Sequence, residues 1–144
     1  MTKRVFVTLV LAMVAVGCAL LRDRVPLLAG DYDGMASSGA CFASMSVRGP
    51  LVVDPTYGTA VMDGVVIEGA TSAHVVPVAW RPGFTARRSG PEVEVLDPQG
   101  NVVAVTGRRY VIPGGYVTPG SGFPAQPAPP AQVFWACDSV TPVP

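Results

Sequence analysis

The stretch Glu92-Val-Glu-Val-Leu-Asp-Pro-Gln-Gly-Asn-Val-Val-Ala-Val-Thr106 decides the fold, because its local chemistry predicts its own structure. Residues 97–100 place Asp first, Pro second and Gly fourth, an order that favours a type I turn with a G1 bulge. Valines recur at every second position on both sides of this turn, as in two strands with one buried face. The segment is therefore predicted to be a β-hairpin whose core face holds two pairs, Val95 opposite Val103 and Val93 opposite Val105.

Composition extends this prediction to a whole β domain. The 144 residues include 16 Gly and 15 Pro, and the apolar segments are short and rich in Val, which favours short strands and turns over helices. A two-stranded hairpin is not stable alone, so other segments should add strands that cover its valine face. We expect an all-β, single-domain fold, a small barrel or sandwich of five to seven short strands, with an OB-like barrel preferred.

The N-terminal segment has the features of an export signal. Two basic residues precede the uncharged run 5–16, and small residues lead to a cysteine. Residues 15–18, Ala-Val-Gly-Cys, resemble the lipobox of bacterial lipoproteins. We expect residues 1–17 to be a signal peptide and Cys18 to be lipidated; an uncleaved membrane anchor and plain secretion are the alternatives. All three place the domain outside the plasma membrane.

The rest of the chain divides into a tether and a folded domain. Residues 18–40 contain scattered Gly, Asp and Ser without periodicity, so we interpret them as a tether. A small β domain is expected to follow, over residues 41–144. Within it, residues 118–131 hold five prolines and should form an extended excursion without a core of its own.

The cysteines predict one cross-link. With Cys18 assigned to lipidation, Cys41 and Cys137 remain, one near each end of the domain. We expect them to form a disulfide, because the space outside the membrane is oxidising. The alternative is a metal or redox site that uses both thiols with His74, which the lack of a C-x-x-C spacing disfavours.

Catalytic residues are sparse. His74 is the single histidine and its neighbours are small and apolar, so acid-base chemistry would depend on one imidazole. No G-x-S-x-G sequence offers a serine nucleophile. We expect no enzyme activity, no cofactor and no metal, with a small envelope hydrolase or metal/redox protein that uses His74 as the alternative hypothesis.

The charges limit the choice of partner. The formal net charge is zero, with ten basic and ten acidic residues, which disfavours a nucleic-acid partner. Two arginine pairs flank the hairpin and could bind the phosphate or carboxylate groups of an envelope polymer or a lipid head group. These residues are Arg87, Arg88, Arg108 and Arg109. The alternative, surface pairing with glutamates, is preferred, since adjacent strand residues point to opposite faces.

Three segments carry a family resemblance. Residues 54–59, 81–88 and 92–110 resemble uncharacterised small secreted or lipid-anchored proteins of actinobacteria. The resemblance implies a place in the cell envelope but no activity, substrate or catalytic residue. We therefore expect a lipoprotein on the outer face of the plasma membrane, a non-catalytic binding or structural module whose partner is an envelope polymer or a protein.

Overall fold

The computed structural model of the chain describes residues 24–32, 34–35, 41, 45–67, 70–125, 128–137 and 139–144, and for 63–67 and 70–74 the backbone alone. The described residues form ten β-strands and no helix. The strands are β1 Arg24–Val25, β2 Met45–Asp54, β3 Gly58–Ile67, β4 Ala70–Ala79, β5 Thr85–Ser89, β6 Glu92–Leu96, β7 Val102–Val105, β8 Arg109–Val117, β9 Val133–Ala136 and β10 Thr141–Val143. The predicted all-β class is confirmed, with more strands than the five to seven expected.

Five strands close into a barrel in the order β8-β2-β3-β4-β9, because β9 also pairs with β8. All neighbours are antiparallel except β4 and β9, which are parallel. Counted along the chain, the order around the barrel is fourth, first, second, third and fifth, which is the connectivity of an OB-like barrel. Short strand β10 pairs with the beginning of β8.

The predicted hairpin lies in a second sheet, β1-β5-β6-β7, whose last three strands are inserted between β4 and β8. Val95 and Ala104 of this sheet share one core cluster with barrel residues such as Ile112. Phe84, just before β5, stacks on Trp80 after β4 with ring centroids 5.7 Å apart. The second sheet therefore covers part of the barrel core.

The hairpin turn forms as predicted. The N–H of Asp97 donates to the carbonyl of Asn101 at 2.9 Å, and the N–H of Gly100 donates back to the carbonyl of Asp97 at 2.9 Å. Gly100 has a φ of +86°, the left-handed conformation that the G1 bulge requires. Leu96 and Val102 face each other beside the turn.

Beyond that pair the predicted register is wrong. Val103 is an extra residue in β7, a β-bulge, so Val95 faces Ala104 instead. Thr106 holds the shifted register, because its N–H donates to the Val93 carbonyl (3.0 Å) and its hydroxyl accepts from the Val93 N–H (2.8 Å). The buried face of the hairpin therefore comprises Val93, Val95, Ala104 and Thr106 rather than four valines.

Residues 24–32 belong to the fold, although they were predicted to be part of a tether. Leu28 is buried, its carbonyl accepts the N–H of Trp80, and the N–H of Gly30 donates to the carbonyl of Trp80, both at 2.9 Å. The folded part therefore includes residues well before Cys41, where the domain was expected to begin. The apolar run 25–29 is short and Pro26 interrupts it, so it shows no periodic pattern that would predict this packing.

Strand β9 is buried on both faces. Phe134 and Ala136 belong to the core cluster, while Val133 and Trp135 belong to an outer cluster that also contains Leu28 and Phe123. The proline-rich excursion has no strand among its described residues, as predicted. Its buried Phe123 nevertheless belongs to the outer cluster, so the excursion and residues 24–32 together form a layer over β9.

Candidate functional site

The four arginines predicted as an anion site are divided between the two sheets. Arg87 and Arg88 lie on β5, Arg108 lies in the turn after β7, and Arg109 begins β8 of the barrel. Nε of Arg87 forms an ion pair with Oε2 of Glu94 at 2.6 Å. Arg87 thus follows the alternative interpretation, surface pairing with a glutamate.

Arg109 instead has a neighbour on the outer side of the barrel that the sequence did not single out. Val47 of β2 and Tyr110 of β8 are buried in the core, so the residues next to them in each strand point outward. Arg48 and Arg109 occupy such outward positions, and both are exposed. The barrel therefore presents two arginines on one surface.

The register brings these two arginines together. Arg48 is the partner of Val111, and Pro50 is the partner of Arg109. They are therefore diagonal neighbours on adjacent strands, with Cα atoms about 7–8 Å apart. Thr141 of β10 faces Val111 from the other side and is also exposed. Two guanidinium groups at this spacing can hold one phosphate or carboxylate between them.

An apolar pair continues the same surface. Met62 of β3 and Val75 of β4 are cross-strand partners and are 36% and 55% exposed. Val61, the chain neighbour of Met62, is buried in the core, which places Met62 and its cross-strand partner Val75 on the outside. We call the outward surface of β8, β2, β3 and β4 that carries Arg48, Arg109, Met62 and Val75 the barrel face.

The described part of the barrel face is electropositive. Among the described side chains of β2, β3, β4, β8, β9 and β10, the one acid is Asp54 at the end of β2. Its Oδ1 accepts the N–H groups of Thr56 (2.8 Å) and Tyr57 (2.7 Å), which fixes it in the following turn. Within the part of the chain that the structure describes, Arg48 and Arg109 have no carboxylate partner.

Sequence reasoning missed Arg48 because Gly49 and Pro50 interrupt the apolar pattern. Residues 41–47 alternate moderately and residues 50–53 are a short apolar run, which predicts either two short strands or one bent strand. In the structure β2 is one strand of ten residues that includes Gly49 and Pro50. A Cβ on Gly49 would overlap the carbonyl oxygen of Met62, so the glycine permits close approach of β2 and β3. The signal that could have found Arg48 is the alternation of inward and outward residues along the strand, because Arg48 lies between the buried residues Val47 and Gly49.

The residues predicted for metal or acid-base chemistry are only partly described. His74 lies on β4 with Asp63 of β3 as its backbone partner, and both side chains lie outside the described residues. Cys41 and Cys137 form the predicted disulfide, with Cα atoms 5.7 Å apart, so neither thiol is free to bind a metal with His74. No group of three or more His, Cys, Asp and Glu side chains that could hold a metal occurs among the described residues.

Residues 1–17, predicted to be a signal peptide, and Cys18, predicted to be lipidated, lie outside the described residues. Within the described ranges, no helix has the length and apolar character needed to cross a membrane.

These features define a small, disulfide-bonded, OB-like barrel protein with an inserted second sheet. Comparison with protein-family models, curated proteins and solved structures found no match to the chain.

Proposed function

We propose that this chain is a bacterial lipoprotein, a non-catalytic binding module tethered to the outer face of the plasma membrane, and that its barrel face binds an anionic polymer of the cell envelope. The observation that carries the binding role is the diagonal pair Arg48 and Arg109 on an exposed strand surface. An anionic polymer with regularly spaced phosphates or carboxylates could contact both arginines and lie along the neighbouring strands.

The proposed location has two supports. The Cys41–Cys137 disulfide is compatible with an oxidising compartment outside the cytoplasm. The basic and apolar N-terminal segment that ends in Cys18 has the order of a lipoprotein signal.

The intact mass of the protein isolated from its membrane fraction tests the location. A chain that starts at Cys18 and carries the added mass of acyl groups is expected. An unprocessed chain without acyl groups would contradict the lipoprotein assignment.

Binding is tested with the detergent-solubilised full-length protein and two polymers of similar length, poly(glycerol phosphate) and a neutral glucan. We expect retention on the phosphate polymer alone, weakened by salt because exposed charges are screened. Arg48→Gln and Arg109→Gln should each lower the affinity about fivefold, since an exposed ion pair contributes up to about 1 kcal/mol. Arg88→Gln, on the second sheet, is the matched control and should bind like the wild type. Equal affinity of all four proteins would contradict the barrel-face assignment.

A further inference from the structure

The outer face of the second sheet carries a row of charges that the proposed polymer site does not use. Arg24 of β1 is the backbone partner of Arg87 on β5, and Arg87 is the partner of Glu94 on β6. Cross-strand partners share a face of the sheet. The adjacent row contains Ala86 and Val95, which are buried, so the charged row points away from the core.

Two arginines directly opposite each other repel unless an anion lies between them. Nε of Arg87 donates to Oε2 of Glu94 at 2.6 Å, yet the Arg87 side chain is still 53% exposed. Arg24 is exposed and forms no ion pair with another residue that the structure describes. The row therefore holds two cations and one anion, and its Arg24 end remains available to an external anion.

The position of Arg24 in the chain indicates which anion that is. This step rests on the proposed lipidation of Cys18. Arg24 follows Cys18 by six residues, so their Cα atoms are at most about 20–22 Å apart. The tether is thus much shorter than the sequence suggested, because the fold already includes residue 24. The head-group layer adds about 5–8 Å on one side of a bilayer, which leaves little room between the lipid phosphates and the start of the domain.

We infer that Arg24 and Arg87 bind the head groups of anionic phospholipids and thereby seat the second sheet on the membrane that carries the anchor. Guanidinium groups bind phosphate in a bidentate manner, and each basic residue close to an anionic surface strengthens association about fivefold. In this arrangement the membrane occupies the outer face of the second sheet, and the barrel face is left for a different ligand.

The test uses the lipidated full-length protein in vesicles of phosphatidylcholine, with or without about one third phosphatidylglycerol, a ratio that gives an anionic surface. The modification rate of individual arginines by phenylglyoxal is read by peptide mass spectrometry. We expect phosphatidylglycerol to slow the modification of Arg24 and Arg87 about fivefold or more, and high salt to restore it. Arg48 and Arg109 on the barrel face serve as internal controls and should react equally in both vesicles.

Two variants sharpen the test. Arg24→Gln should remove most of the protection of Arg87, because one of the two head-group contacts is lost. Arg88→Gln changes a neighbouring residue that points to the other face and should leave the protection unchanged. Equal modification rates of Arg87 in the two kinds of vesicle would overturn the inference. Protection of Arg87 by soluble glycerol phosphate as strong as that by phosphatidylglycerol vesicles would also overturn it, because it would indicate a small-anion site instead of a membrane surface. Flotation of the vesicles distinguishes failure of this inference from failure of the anchor. A protein that does not float with neutral vesicles contradicts the proposed lipidation. A protein that floats but shows no protection by phosphatidylglycerol contradicts only the binding of the second sheet to the membrane.

Discussion

Replacing Cys41 and Cys137 by alanine should lower the free energy of unfolding by about 4–5 kcal/mol. The disulfide joins residues separated by 96 positions, and closing a loop of that size removes enough entropy from the unfolded chain to give about 4.7 kcal/mol in the loop-entropy model. A domain of this size has a total stability of about 5–15 kcal/mol. The variant should therefore retain the fold only marginally or lose it.

The surroundings of the bond set the choice of substitution. Cys137 directly follows β9 and is buried, and its N–H donates to the carbonyl of Pro113 at 2.9 Å. Alanine avoids placing an unpaired hydroxyl in this site, which serine would do at a cost of about 1–3 kcal/mol. The double alanine variant therefore measures the loss of the cross-link with little added polar penalty.

Urea unfolding followed by tryptophan fluorescence is the suitable assay, because Trp80 and Trp135 are both fully buried. The oxidised wild type, the reduced wild type and the double variant should be compared at one pH. The reduced protein and the variant should unfold at similar urea concentrations, both well below the oxidised protein. A loss under about 1 kcal/mol in both samples would refute the loop-entropy reasoning and indicate that the reduced, unfolded chain already keeps these ends close.

Gly49→Ala should lower the free energy of unfolding by about 1–3 kcal/mol in the same urea assay, because the new methyl group overlaps a β3 carbonyl. Gly120→Ala is the control: a Cβ there has no atom within 4 Å, so the free energy of unfolding should change by less than about 0.5 kcal/mol. Thr106→Val should cost about 1–3 kcal/mol, since it leaves the buried N–H of Val93 without its hydroxyl acceptor; unchanged stability would show that this amide finds another partner. Hydrogen bonds, chiefly from the Asn101 side chain, hold the pKa of Asp97 below its ordinary value. The Asp97 carboxylate therefore stabilises the fold at pH values above its pKa in the unfolded chain. This stabilisation is lost as the pH falls through the lower pKa of the folded state. Asp97→Asn should therefore be less stable than the wild type at neutral pH, and the thermal midpoints should converge in acid; a constant difference would argue against the linkage.

The sequence predicted the parts of the fold that depend on residues close together in the chain. The Asp97 turn follows from four consecutive side chains, and the structure has it as expected. The register beyond it depends on the Thr106 hydroxyl, which is nine residues away along the chain and bonds a strand across the hairpin. A side chain that competes for a backbone N–H leaves no trace in hydrophobic periodicity, so the bulge at Val103 was not foreseen.

Nonlocal packing limited the rest. The parallel pairing of β4 with β9 joins segments more than fifty residues apart, and no sequence pattern here specifies it. Leu28 lies in the short apolar run 25–29, which Pro26 interrupts, and Phe123 stands alone between Gly122 and Pro124, so their burial over β9 could not be read from periodicity. The candidate site shows the same limit: Arg109 was singled out from sequence, but its neighbour Arg48 emerged only when the strand register was known.

The place of β9 in the chain sets the order in which the protein can fold. This strand closes the barrel and fills the space between the core and the outer cluster, yet its residues 133–136 follow the other four barrel strands in the chain. Strands β2 to β4, and likewise β5 to β7, can pair with sequence neighbours as they appear, and β8 can then pair with β2. The parallel contact with β4 must wait for β9. The chain thus passes through a stage in which the edge of β4 and its apolar surface are uncovered. The barrel closes only when β9 is in place, which favours slow folding and a need for protection from aggregation until then.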